Sequence, residues 1–374
     1  AVFSAIPPSE VEIDLVSTPS GGGTLFDDPD ARTWDVNLDL IQRDLHASAN
    51  PGFSFLGWNS NLSVSFNPSW MNPVVTATPQ SASTITAYFS PITQKVLTSF
   101  DSSRGTVTGA GTDLSTNTSR VITAQPGENQ IFYSWELNKT IDYIVSRENS
   151  SVTTNQTRLF IDGKESPVLN LVRGFTYRFS SQLPANENLF LGLNKNDSQS
   201  SAYESGVTDT QNSDGFLTFT VPTDAPDRLY YCSSQQSYSG NNINIISKTD
   251  EEILPFPNES QIEPVLDFDL ALHATFIGKE IKATIIEPEG GSIAGITDGQ
   301  TFSYMDSVNI SAVPNEHYLF DRWELSQAIS SSTEDSSLQF EIMDSLTIRA
   351  FFKPKSYSLT LLSSPSHAGN AFTT

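Results

Sequence analysis

Apolar and polar residues alternate through much of this chain. VEIDLVS from Val11, KVLTSF from Lys95 and IKATII from Ile281 set hydrophobic side chains on every second position, the period of a strand that buries one face. Glycine turns stand beside these stretches, as GGGTL at Gly23, RGTV at Gly105 and GGSI at Gly291. A residue without a β-carbon permits a tight reversal there. The pattern therefore predicts strands joined by short turns.

The strands recur in a fixed order. Three runs, ASANPGFSFLGW, AQPGENQIFYSW and AVPNEHYLFDRW, end on Trp58, Trp135 and Trp323. In each, an Ala lies 11 residues before the Trp (Ala47, Ala124, Ala312) and a Phe lies 3 before it (Phe55, Phe132, Phe320). Later strands close on Ala-x-Phe at Phe89, Phe276 and Phe352. Such landmarks are the mark of a tandem repeat. The Phe and Trp, three apart around a bend, supply apolar area to a small two-layer core. A unit of about 75 residues is marginal alone and gains from stacking on its neighbours.

Spacing turns the repeat into a domain map. The Trp-to-Trp distance is 77 residues from the first to the second and 188 from the second to the third, a difference of 111. The middle unit is thus predicted to be split by an insert. The expected organisation is an N-terminal segment (1–10), unit 1 (11–92), the first part of unit 2 (93–151), the insert (152–262), the closing strand of unit 2 (263–279), unit 3 (280–355) and the start of a fourth unit (356–374).

Ala124–Trp135 and Ala312–Trp323, with Ala350–Phe352, fit the pattern A-x-P-x-x-G-Y-x-F-x-x-W followed by A-x-F. They resemble the divergent InlB B-repeat family of bacterial surface proteins. Asn129 and His317 stand where that family often has Gly. The resemblance implies a β-grasp-like fold, a spacer or stalk in multidomain surface and secreted proteins, and no catalytic residues.

The insert carries LFIDGKESPVLNLVRGFTYRF, then GVT at Gly206, then VPTDAPDRLYYC ending on Cys232. This resembles a cupredoxin-like domain found in marine bacterial and phage proteins, through Leu171, Arg173, Gly174, Thr176, Tyr177, Phe179, Val221, Pro222, Asp224–Pro226 and Leu229–Cys232. The resemblance implies a Greek-key β-sandwich, so the expected fold class is mostly β, small β-rich repeats plus an inserted sandwich. It also implies where copper ligands would stand. A blue-copper centre needs two imidazoles and a thiolate with a weak axial thioether. Here only Cys232 remains; the other positions hold Asn188 (or Leu189), Gln235 and Tyr238. An amide and a phenol do not rebuild that ligand field, so no metal and no cofactor are expected. Cys232 then reads as a small buried strand-end residue.

Charge narrows the function. Against 20 basic residues stand 43 acidic ones, a net charge of −23, which repels phosphate backbones and anionic lipid. One Cys excludes an internal disulfide framework and a Cys-rich zinc site, and no run approaches a membrane span of about 20 apolar residues. The chain opens AVFSAIPPSE without a basic-then-apolar leader, as expected of a processed protein or a piece of one. His46, His273, His317 and His367 have no partner at metal or triad spacing, and no nucleophile or phosphate-loop motif occurs. The acidic turns DDPD (27–30) and EDSS (334–337) lack the spacing of a calcium loop. Eight N-x-[ST] sequons, at Asn61, Asn117, Asn138, Asn149, Asn155, Asn196, Asn258 and Asn309, follow from Asn, Ser and Thr abundance.

Exposed aromatics are what carbohydrate-binding surfaces use. Trp34 and Trp70 fall outside the landmarks, and Tyr203, Tyr230, Tyr231 and Tyr238 gather in the insert. The candidate recognition residues are Gln235 and Tyr238, at the loop end where copper would sit, with Tyr203. The expected function is a non-enzymatic extracellular or particle-surface structural or adhesion protein. It would be a repeat stalk or fibre subunit whose insert projects sideways to meet other copies, neighbouring surface or virion proteins, or glycans. A secreted glycan-binding or glycan-degrading protein and a marine-phage fibre or decoration protein are the alternatives. On such a stalk the negative charge keeps long β edges soluble and apart.

Overall fold

The alternating segments pair as strands, and the fold is nearly all β. A computed structural model describes residues 13–27, 42–154, 156–208, 215–329, 332–360 and 369. The expected N-terminal segment (1–10), Trp34, the acids at 28–30, Asn155, His367 and most of the expected fourth unit lie outside the described residues. Among the described residues, helix is confined to Asp250–Ile253 and one short 3-10 turn at Gln199–Ser201. The chain divides into two compact units, Ala1–Gln125 with Phe132–Thr275, and Pro126–Ile131 with Phe276–Thr374.

In the first repeat, the strands Ile13–Thr18, Ser83–Pro91 and Phe53–Ser60 form one sheet, with Ser83–Pro91 in the middle. The first pair is parallel and the second antiparallel. Gly23–Asp27, Arg43–Ala49, Val74–Pro79 and Val64–Asn67 form the facing sheet, in that order. The third repeat repeats this pairing. Leu346–Pro354 lies between Glu280–Ile286, parallel to it, and Tyr318–Leu325, antiparallel.

This register explains the landmark spacing. Phe55 faces Phe89 and Trp58 faces Ala87, with a bulge between Phe55 and Gly57. Phe320 faces Phe352 and Trp323 faces Ala350, with a bulge between Phe320 and Arg322. Residues three apart on a regular strand point to opposite faces; one bulged residue returns them to the same face. The Phe and Trp rings consequently touch, with centroids 5.6, 5.4 and 5.4 Å apart in the three repeats. All three tryptophans are buried.

A backbone clamp recurs around each Trp. Trp58 donates its N–H to Trp70 O (2.8 Å) and its indole Nε1–H to Asn72 O (3.0 Å), while Ala47 N–H bonds Pro73 O (2.9 Å). Trp323 and Ala312 do the same to Thr333, Asp335 and Ser336. In the second repeat the acceptors are Pro257, Glu259 and Ser260 for Trp135 and Ala124. The chain is thus back beside Trp135 and Ala124 by Pro257. The strand Thr140–Asn149, expected in unit 2, pairs with Thr157–Ile161 and Thr176–Ser181 of the insert. No landmark falls between Trp135 and Ala274, so spacing alone could not place the ends of the insert between them.

The glycines act differently from the turn role expected of them. Gly23 and Gly291 open strands, and the positive φ of the third-repeat turn sits on Gly290 (88°). A β-carbon on Gly23 would stand 2.3 Å from the Phe89 ring, and one on Gly291 would stand 2.4 Å from the Phe352 ring. These glycines make room for the Phe of the closing Ala-x-Phe. The segment from Ser356, expected to begin a fourth-unit strand, is in no strand through Thr360, and Tyr357 and Leu359 are exposed.

The insert is a two-sheet sandwich. One sheet runs Lys164–Glu165, Thr157–Ile161, Thr140–Asn149, Thr176–Ser181, Phe216–Thr220, Val207–Thr208; the other runs Leu169–Val172, Asn242–Ile246, Arg228–Ser233, Leu189–Gly192. Alternate residues fill the space between them, among them Tyr143, Val145, Tyr177, Phe179, Tyr231 and Ile243.

Candidate functional site

The residues singled out in the insert do not form one site. Cys232 is buried opposite Phe190, and its thiol points at Asn194 O, 3.5 Å away. Burial, with the Asp197 charge adding to it and Lys195 opposing it, pushes the thiol up to about 12. Gln235 is exposed and ties its side-chain amide to Asn186 O (2.7 Å). Asn188 and Tyr203 line a cavity of about 190 Å³, where Tyr203 meets the Phe219 ring edge-on. Tyr238, half-buried and held at φ 61°, lines a different and larger cleft. Of the paired tyrosines, Tyr231 is buried with its hydroxyl on Pro167 O (2.7 Å), while Tyr230 faces that larger cleft.

This donor set does not suit copper. A protonated thiol, an exposed amide turned to the backbone and a phenol lining another cleft offer no soft, imidazole-rich shell. Among the described residues no group of three or more His, Cys, Asp or Glu is placed to hold a metal ion. His46 and His273 lie in strands and His317 in a turn, with His273 Nδ1 2.9 Å from Ser99 Oγ.

What the sequence did not reveal is a set of buried and half-buried cations where the insert meets the repeats of its own unit. Arg158 is fully buried. It donates to Leu56 O of the first repeat, stands over the Trp70 ring at 5.6 Å and pairs with Glu165 at 3.8 Å. Its Nε and Nη2 have no hydrogen-bond partner among the described residues, and desolvation pulls its pKa below the usual arginine value. Lys195 bonds Met71 O (3.1 Å); enclosure of its ammonium, with the Arg158 charge adding to it, lowers it to about 7. Lys95 of the second repeat bonds Asp162 and Asp142 O, both at 2.7 Å, and lies over the Tyr143 ring. Asp269 receives the Tyr143 hydroxyl (2.7 Å), and burial raises its pKa. The available signal was a charge inside an apolar strand, as in TRLFI and FDLAL.

The cleft that holds Tyr238 has a volume of about 610 Å³. The insert contributes Lys195, Arg228, Tyr230 and Tyr238, and the first repeat contributes Phe53 and Asn72. Arg228 and Tyr230 alternate with the buried Leu229 and Tyr231, so they share the outer face of their sheet with Asn244 and Asn242, directly opposite. Six of the lining residues are asparagines and none is acidic.

Residues 15–93 and 281–356, the two uninterrupted units, match the divergent InlB B-repeat domain family. No curated protein matches the chain. Among solved structures, a multicopper oxidase aligns at 9% identity over 58% of this chain and 80% of that one, with a TM-score of 0.19. Fet3p, a multicopper oxidase that functions in iron import, aligns at 12% over 60% and 54%, with a TM-score of 0.20. The Bacteroides ovatus mixed-linkage glucan protein SGBP-B aligns at 8% over 94% and 69%, with a TM-score of 0.13. At such scores none of these alignments carries an argument about fold or function. The two repeat units are thus similar in sequence to a bacterial surface repeat, and no described helix is long and apolar enough to cross a membrane.

Proposed function

We propose that this chain is a non-enzymatic surface or extracellular protein, a repeat-built stalk or scaffold that carries a metal-free, cupredoxin-like sandwich as a contact module. The observation that carries this reading is the register shared by the first and third repeats, where a bulged F-x-x-W strand lies against an A-x-F strand. Both segments fall in the matched surface-repeat family. The clamp around Trp135 extends the same build to the interrupted unit. The insert is anchored through buried charges to the repeats of its unit, which suits a module held in a fixed pose for contact with neighbouring copies or other surface components.

Immunogold labelling of intact cells or particles of the source, with antibody raised to the 374-residue chain, tests the proposal. Gold on the outer surface or on shed filaments is expected. Label confined to the cell interior, reached only after permeabilisation, would overturn it.

A further inference from the structure

We propose that the cleft holding Tyr230, Tyr238 and Arg228 binds an anionic oligosaccharide, a sugar chain bearing carboxylate or sulfate groups. Its volume of about 610 Å³ lies within the range of small-ligand sites. Its electrostatics run against the rest of the molecule. The chain has 43 acidic and 20 basic residues, yet two cations and no carboxylate line this cleft. Lys195 is already committed to Met71 O. Arg228 is exposed and has no carboxylate or hydrogen-bond partner for its guanidinium among the described residues. A free planar fork in an acid-free cleft matches a carboxylate or sulfate, which it can meet with two parallel hydrogen bonds.

The other groups specify a sugar rather than a bare anion. Asn242 donates to Asn244 (3.0 Å), and Asn244 to Asn170 (2.8 Å), so these amides are fixed in orientation on the sheet face. Among the described residues Asn242 Oδ1 remains open as an acceptor, and Asn72, whose Oδ1 takes Val74 N–H (3.2 Å), keeps its amide N–H groups open. Hydroxyl groups both donate and accept, and so pair with amides of either sense. Tyr230 and Tyr238 supply aromatic faces against which the apolar face of a sugar ring can pack. One free cation set among amides and phenols fits a polyhydroxylated ligand with sparse negative charge. An acidic peptide or a nucleic acid carries a charge on nearly every unit and would require several free cations, where this cleft offers one.

Titration calorimetry on the full chain with a xylotetraose bearing one glucuronate, a cellohexaose bearing one sulfate, neutral cellohexaose and hexaglutamate tests this. At least one of the two acidic sugars should bind ten or more times tighter than cellohexaose and hexaglutamate. Which one does so separates carboxylate from sulfate recognition. Arg228→Gln, a change at an exposed position, should remove that preference while the circular dichroism spectrum stays unchanged. Tyr230→Ala should weaken the same sugar about tenfold or more. Equal binding of cellohexaose, equal or tighter binding of hexaglutamate, an unaltered preference in Arg228→Gln, or no binding of any acidic sugar would each overturn the proposal. The surface labelling is a separate readout: a scaffold can lie on the surface with this cleft empty of sugar function.

Discussion

Three cations carry the attachment of the insert: Arg158 and Lys95 lie buried on strands, and Lys195 is half-buried in the turn after Leu189–Gly192. Arg158 occupies an inward position of TRLFI, and the walls around it come from Leu56, Trp70 and Glu165. Enclosure by residues remote in sequence is invisible to a one-strand period, so these residues could not be read as a site beforehand. Lys195 gives this a measurable consequence. Its pKa is about 7 in the folded chain against an ordinary 10.5. Between those values the unfolded chain holds a proton that the folded chain lacks, so this lysine makes stability rise with pH over that window. Below pH 7 both states are protonated and the burial cost is constant. Urea unfolding of the wild type and Lys195→Met at pH 6, 8 and 10 should therefore show the wild type gaining on the variant as pH rises. Parallel profiles would show that Lys195 stays charged in the fold. Cys232 was legible, by contrast, because burial of a strand-end Cys follows from local pattern and residue type.

Strands and their turns were the most legible level. The landmarks F-x-x-W and A-x-F differ in spacing by one residue, and antiparallel partners can match three positions against two only through a bulge. That bulge is present in the first and third repeats. The glycines were legible in place but not in role, because the ring that excludes a β-carbon arrives from a strand some 60 residues later. A direct test is the pair Gly291 and Phe352. The added methyl of Gly291→Ala would meet Phe352 Cζ at 2.4 Å, and that ring is itself held edge-on to Phe320 at 6.0 Å. Overpacking of this kind costs about 1–3 kcal/mol. In a Phe352→Leu background the same change should cost less by at least about 0.5 kcal/mol, the scale of coupling between touching residues. Equal costs in both backgrounds, from equilibrium denaturation, would return the glycine to a turn role.

For the molecule as a whole, the insert raises the question of whether a repeat can fold around an interruption of this length. The clamp answers it locally: Trp135 N–H reaches Pro257 O at 2.7 Å, so the chain leaves the repeat and re-enters it at neighbouring points. Asn138 N–H bonds Ala271 O (2.9 Å) just before the sandwich begins at Thr140, holding the exit as well. Closing such a gap with a short linker costs little chain entropy. Replacing residues 140–255 by Gly-Ser-Gly should therefore leave a folded β protein with all three Phe–Trp pairs in place. The excision also removes the partners of Lys95 at Asp162 and of Asp113 at Lys164, and it opens Leu56 O and Met71 O to water. The exposed Asp113–Lys164 pair contributes little, while each of the other lost bonds contributes about 0.5–1.5 kcal/mol net, so a drop in Tm of about 5–10 °C is expected for the remaining repeats. Calorimetry of the excised chain should show a single cooperative loss for the first two repeats at that lower temperature. If the excised chain lacks a folded β spectrum at 20 °C, the sandwich is an integral wall of the second repeat and not an insert in a self-sufficient unit.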